Sequence, residues 1–174
     1  MALVIAALLP PLPRVFGVDA RPAGRSMVDL LDEDHRLLAR LRTAGPSDVF
    51  VACLVRHLSA EAQYLYPTVR RVLTSGVRLA DAALALDQIL LRSPLSEECL
   101  RAHLTLGVHR KLRDALDEEA LIRLGNRLQI AQEAAPTRPH PGAPTTPPLN
   151  KLVDPALGVV DKLRDLVSRR STWP

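Results

Sequence analysis

Between Asp48 and Leu73 the chain places Phe50, Leu54, Leu58, Leu65, Val69 and Val72 at the spacing of one helix face, and sets His57 and Glu61 inside that same pattern. Residues four apart lie one helical turn apart on one face, about 5–6 Å between their β-carbons. An imidazole and a carboxylate are therefore turned towards a core, where an unpaired ionised group is costly. A bound cation removes that cost, because both groups are metal ligands. Any fold for this chain has to be helical here and has to give these two groups a partner.

Of the 174 residues 47% are apolar but only 3% aromatic, so the core is aliphatic, a composition of Leu, Val and Ala that favours helix over strand. No alternating β pattern of useful length occurs, and the expected fold is all-α. Four long helical patterns joined by short breaks predict an antiparallel four-helix bundle. The first covers about Met27–Arg42, with Ser26 as N-cap and Asp29 three residues on. The second covers Asp48–Leu73, closed by Thr74-Ser75-Gly76, and the third Arg78–Arg92. Ser93-Pro94 opens the fourth, which runs to about Leu116 with Glu97 and Glu98 in its first turn. An extra amphipathic helix follows over about Glu118–Glu133, carrying Leu121, Leu124, Leu128 and Ile130. Ala135–Pro148 holds six prolines in fourteen residues and reads as an extended strap or linker. Ala156–Ser168 forms a last amphipathic helix with Val159, Val160, Leu163, Leu166 and Val167, expected to dock on the bundle or on a protein partner. The implied division is a leader (1–26), a helical bundle (27–134), a proline-rich strap (135–155) and a C-terminal helix with its tail (156–174).

The formal charge is +4 and the pI about 9.6, but the arginines are spread over several helices among Asp and Glu, which argues against a nucleic-acid partner. Cys53 and Cys99 are too few and too far apart for a disulfide framework or a zinc site, so a reducing, cytoplasmic setting is expected. Met1–Leu9 is apolar but lacks a basic n-region, and Pro10, Pro11 and Pro13 end it well short of the roughly 20 residues that span a bilayer. No membrane partner is expected. Residues 1–26 read either as a disordered leader or as an extension upstream of a start at Met27.

Helical phase turns further polar groups inwards. His35 falls on the stripe Val28, Leu31, Leu38, away from the outer acids Asp32 and Glu33. Asp87 shares a face with Ala80, Leu84, Leu90 and Leu91, and His103 one with Leu100 and Leu104. His35, His57, Glu61, Asp87 and His103 thus form a candidate metal-ligand set on the bundle axis, where facing helices build such sites. His109 is a poor candidate, six residues after His103 and about 120° around the same helix. His140, in the proline segment, is expected to be exposed, and Cys53 to be a small core residue. Pro67 should kink the second helix just after the His57/Glu61 pair, and a hydroxyl of Tyr64 or Tyr66 should hydrogen-bond near the site.

These residues resemble the hemerythrin-like (HHE cation-binding) family. The likeness rests on Leu31-Asp-Glu-Asp-His35, on His57-Leu-Ser-Ala-Glu61 with Tyr64-Leu-Tyr-Pro67, and on a tail comprising Ala135-Pro-Thr-Arg-Pro-His-Pro141, Asn150-Lys-Leu-Val153 and Val160-Asp-Lys-Leu-Arg-Asp165. It covers roughly Met27–Val167. It implies a non-haem iron centre, mono- or di-nuclear, with His35, His57 and Glu61 as first-half ligands and Glu61 as a bridge. It also implies binding or sensing of dioxygen, nitric oxide or peroxide. The second half departs from the family pattern, because Gly107 stands where an acid is usual after His103. No catalytic nucleophile, phosphate-binding loop or cofactor fingerprint occurs, so no conventional enzyme is expected. The alternative is a metal-free helical scaffold with a degenerate site that engages a protein partner through its C-terminal helix.

Overall fold

Side-chain oxygens set where four of the helices begin. Ser26 accepts from Asp29 N, Ser47 from Phe50 N, Ser96 from Cys99 N and Asp117 from Ala120 N, each capping a first turn. The computed structural model describes residues 23–174, and among them there are helices and loops but no strand. The elements are α1 (Met27–Thr43), α2 (Asp48–Ala60), a π-helical turn (Glu61–Leu65), α3 (Tyr66–Val72), α4 (Gly76–Arg92), α5 (Glu97–Leu106), a 3-10 turn (Val108–Leu112), α6 (Glu118–Ala134) and α7 (Asn150–Ser168). The all-α expectation holds for these residues. Most of the expected leader lies outside them. No helix among the described residues is long and apolar enough to cross a membrane.

Helix α1 packs on α2 and α6, α2 on α6, and α4 on α3 and α5. The buried apolar residues fall into two clusters. One holds Met27, Leu31, Leu65, Val69, Ala83, Val108 and Leu128; the other holds Leu38, Phe50, Leu54, Leu58, Leu90 and Leu100. In four stretches a polar residue sits where the chain passes from one cluster to the other. His35 lies between Leu31 and Leu38, Glu61 between Leu58 and Leu65, Asp87 between Ala83 and Leu90, and His103 between Leu100 and Val108. The core is two aliphatic layers with a polar layer between them.

Several local expectations change. The fourth helix starts after Ser96, not at Ser93-Pro94, and stops at Leu106, because Gly107 adopts the left-handed conformation (φ 58°) that ends helices. Gly76 opens α4 rather than closing the preceding helix. Pro67 produces no simple break: it follows a π turn in which Tyr66 N bonds Glu61 O, five residues back. A proline has no N–H to give to Gln63 and would crowd that carbonyl in an α-helix, and the wider turn accommodates this. Ile130 is exposed, unlike Leu121 and Leu128.

The largest difference is at the C-terminus. Helix α7 begins at Asn150, not Ala156, and runs through Pro155. It docks by a polar stripe of Asn150, Asp154, Gly158, Asp161 and Asp165, while Val159, Val160, Leu163, Leu166 and Val167 face solvent. The acids are held by other elements. Asp154 accepts from Ser59 and Gln63, Asp161 from the backbone N–H groups of Thr137 and Arg138, and Asp165 from the Thr137 hydroxyl and from Arg138 and Arg170. The proline segment is therefore a packed strap clamped between the helices and α7, with Ala135 and Thr137 fully buried. His140, expected to be exposed, is half-buried with Nε2 3.0 Å from Asp161 Oδ2.

At Gly158 a β-carbon would stand 2.1 Å from the carbonyl oxygen of Ala134. Helix propensity alone makes Gly→Ala stabilising by about 1 kcal/mol, but a clash with backbone cannot be relieved by a rotamer change. Gly158→Ala should therefore destabilise the protein by about 1–3 kcal/mol, read as a lower denaturant midpoint with faster proteolysis within residues 139–149.

Candidate metal centre

Three imidazoles from three helices converge on one point of the polar layer. His57 Nε2 lies 3.2 Å from His35 Nε2 and 3.1 Å from His103 Nε2. Glu61, one turn after His57, brings Oε1 to 3.4 Å from His57 Nε2 and 3.9 Å from His35 Nε2, and Oε2 to 3.5 Å from His103 Nε2. One ligand atom from each of the four residues can be chosen so that all lie within 4.8 Å of one another, and all four residues are buried. Donors bound to one metal at about 2.1 Å stand about 3.0 Å apart at right angles and about 3.4 Å apart in a tetrahedron. The two spacings to His57 Nε2 lie inside that range, while the group as a whole spans up to 4.8 Å, so a single cation would draw the outer donors inwards.

The outer nitrogens of two of these rings are paired with carboxylates. His57 Nδ1 is 3.2 Å from Asp34 Oδ2, and His103 Nδ1 is 2.9 Å from Asp87 Oδ1, a pairing by charge rather than a well-aligned hydrogen bond. A carboxylate behind an imidazole favours the tautomer with its proton outside and its lone pair aimed inwards, as second partners of metal-bound histidines do. His35 is held differently: its Nδ1 has no partner among the described residues, and its ring meets that of His109 edge-on, centroids 4.8 Å apart.

Of the five residues expected from the sequence, His35, His57, Glu61 and His103 come together. Asp87 is buried beside them but stands behind His103 and outside the four-donor group. Its second oxygen lies 2.5 Å from the Tyr66 hydroxyl, which is also 2.8 Å from Glu61 Oε2, so the tyrosine anticipated near the site is Tyr66. The π turn makes this contact: it brings Glu61 and Tyr66, five apart in sequence, onto one side of the helix.

His109 departs from its expected place. It is 1% exposed and packs on His35, because the left-handed Gly107 ends α5 and restarts the chain as a 3-10 turn. The 120° separation holds only for an unbroken helix. The missed signal was Gly107 itself, a helix terminator. His109 Nε2 is 3.1 Å from Asp32 Oδ1, which also accepts from Arg110, so Asp32 is not an outer-face acid as expected. Asp34 was also unforeseen, its role depending on how α1 rotates against α2. Beside Gly107, Glu61, Tyr66 and His103 line a cavity of about 10 Å³, at the lower limit for one water.

Burial sets the charge of the layer. It raises the Glu61 carboxyl to about 8, with the Asp87 charge adding to the effect and that of His103 opposing it. Burial would lower His103, but the Glu61 and Asp87 carboxylates outweigh it and hold the imidazole up, to about 9. His35 and His57 are pushed down, first by burial and then by the neighbouring histidines. The cluster therefore favours protons on Glu61 and His103, which a metal ion would have to displace, while His35 and His57 stay neutral, as ligands must be. The Tyr66 hydroxyl has one proton for two carboxyl oxygens, so a proton on one of those acids completes the contact.

Compared with known proteins, the chain matches no family model, no curated protein and no solved structure.

A group whose folded pKa is raised binds its proton more tightly when folded, so it loses stability as pH rises from its unfolded to its folded value. For His103 that window runs from 6.5 to about 9, and for Glu61 from 4.5 to about 8. The urea midpoint of chelator-treated protein should therefore fall between about pH 6.5 and 9. Glu61→Gln, which removes the acid and the charge that raises His103, should flatten that fall; a steep fall retained in the variant would contradict the assignment.

Proposed function

We propose that this chain is a hemerythrin-like four-helix bundle that holds one non-haem iron ion and offers it to a small oxidant: dioxygen, nitric oxide or peroxide. The observation that carries the reading is the convergence of the His35, His57 and His103 Nε2 atoms with the Glu61 carboxylate in a closed, buried layer. Imidazole suits iron, and histidine–carboxylate sets with open positions are typical of non-haem iron. Iron held by these four donors would supply open coordination positions for a diatomic ligand or peroxide.

The chain's own residues do the rest. Asp34 and Asp87 orient His57 and His103, and Tyr66 places a hydroxyl against Glu61 as a hydrogen-bond donor at the edge of the site. The aliphatic layers on both sides exclude water, which strengthens every charge interaction within. One ion is favoured over two because Gly107 supplies no second carboxylate and His109 spends Nε2 on Asp32. The free, half-buried Cys53 and Cys99 suit a reducing cytoplasm.

A second reading is a metal-free scaffold, favoured by the network in which Tyr66, Glu61, Asp87 and His103 can satisfy one another with a shared proton. Elemental analysis and iron titration separate the two. Iron should bind at one equivalent per chain, should be lost in His57→Ala, and should be kept in His109→Gln. No uptake by the folded chain, or equal uptake by His57→Ala, would reject the iron reading in favour of the scaffold.

A further inference from the structure

Helix α7 is amphipathic, but it is docked with its charged face inwards. Asp154, Asp161 and Asp165 are buried and bonded to the strap, to Ser59 and Gln63 of the second helical stretch, and to Arg170. At about 100° per residue, Leu152, Ala156, Val159, Val160, Leu163, Leu166 and Val167 occupy a single sector opposite that face. Leu152, Leu166 and Val167 are 71%, 75% and 88% exposed, so the sector stands clear of its neighbours. Exposed apolar patches of this extent mark interaction surfaces.

Charge identifies the occupant. With its three acids buried, the exposed charges of α7 are all cationic. Lys151 and Lys162 lie on one border of the apolar sector and Arg164 on the other, with Arg169 at the C-cap. Lys151 sits over the Tyr64 ring near Arg127, and Lys162 donates to the carbonyl oxygen of Glu133, neither of which neutralises the ammonium. An apolar stripe bordered by Lys and Arg is the composition of helices that lie in a membrane interface. A second copy across a two-fold axis would set these cationic borders against each other, whereas anionic headgroups neutralise them. Trp173, the chain's single tryptophan, is no part of this face: its ring lies under the Arg56 guanidinium, 4.0 Å to the centroid.

We propose that α7 is a membrane-surface helix whose outward apolar face beds into an anionic lipid bilayer while its acidic face holds it to the rest of the chain. This differs from the expectation of no membrane partner, which rested on the lack of a spanning segment, and it does not depend on metal binding. The test is sedimentation of the full chain with vesicles of phosphatidylcholine alone or mixed with phosphatidylglycerol. The expected result is binding to the anionic vesicles at low salt and little binding to the neutral ones. Leu163→Glu, at an exposed position, should abolish binding with helix content unchanged. Lys162→Gln with Arg164→Gln should weaken it about 25-fold, about fivefold per cation. Equal binding to both vesicle types, or no binding by the full chain, overturns the proposal. So does a dimer seen by light scattering that Leu163→Glu dissociates.

Discussion

Three imidazole nitrogens within 3.1–3.2 Å of their neighbours and a carboxylate beside them form a layer that the surrounding hydrocarbon cannot solvate. Removing water from such groups costs several kcal/mol per charge unless something positive sits among them. The helices are arranged around that requirement. Aliphatic residues above and below fix the rotation of each helix, and the rotation decides that a polar atom from each meets the others. The packing that makes the core is also what makes the layer costly, so a proton held there bears on the stability of the whole fold.

The carboxylates divide by distance from the centre. Glu61 is in contact with the imidazole nitrogens, whereas Asp34 and Asp87 face the outside of two rings and Asp32 faces His109. None of these outer acids has to bind anything to matter, because the tautomer and aim of a ring follow from what its far nitrogen meets.

Residues governed by helical period alone were legible in the sequence. His35, His57, Glu61, Asp87 and His103 are all buried, as their spacing among Leu and Val requires. Distinguishing Asp87 as a supporting group from Glu61 as a donor needs distances that periodicity does not contain. His109 was misplaced because its position follows from the backbone conformation of Gly107, which changes the angular arithmetic for every later residue. The orientation of α7 was not legible for another reason. Its pattern gives two faces, but which one turns inwards depends on Thr137 and Arg138, distant in sequence, and on Arg170 just past the helix, whose bonds to Asp161 and Asp165 make an acidic face the buried one. The strap was read as extended for its prolines, correctly as to helix and strand, but its packing depended on those same bonds.

The π turn at Glu61–Leu65 has a mechanical consequence. Returning it to α-helical register would rotate everything beyond Leu65 by about 100° relative to His57. Tyr66 would leave Glu61 and Asp87, and Val69, whose carbonyl packs within 2.0 Å of where a Gly76 β-carbon would stand, would lose its seat against α4. One residue's worth of winding therefore works as a gear tooth. It meshes the setting of the polar layer with the docking of the α3–α4 corner, so that neither can turn without the other.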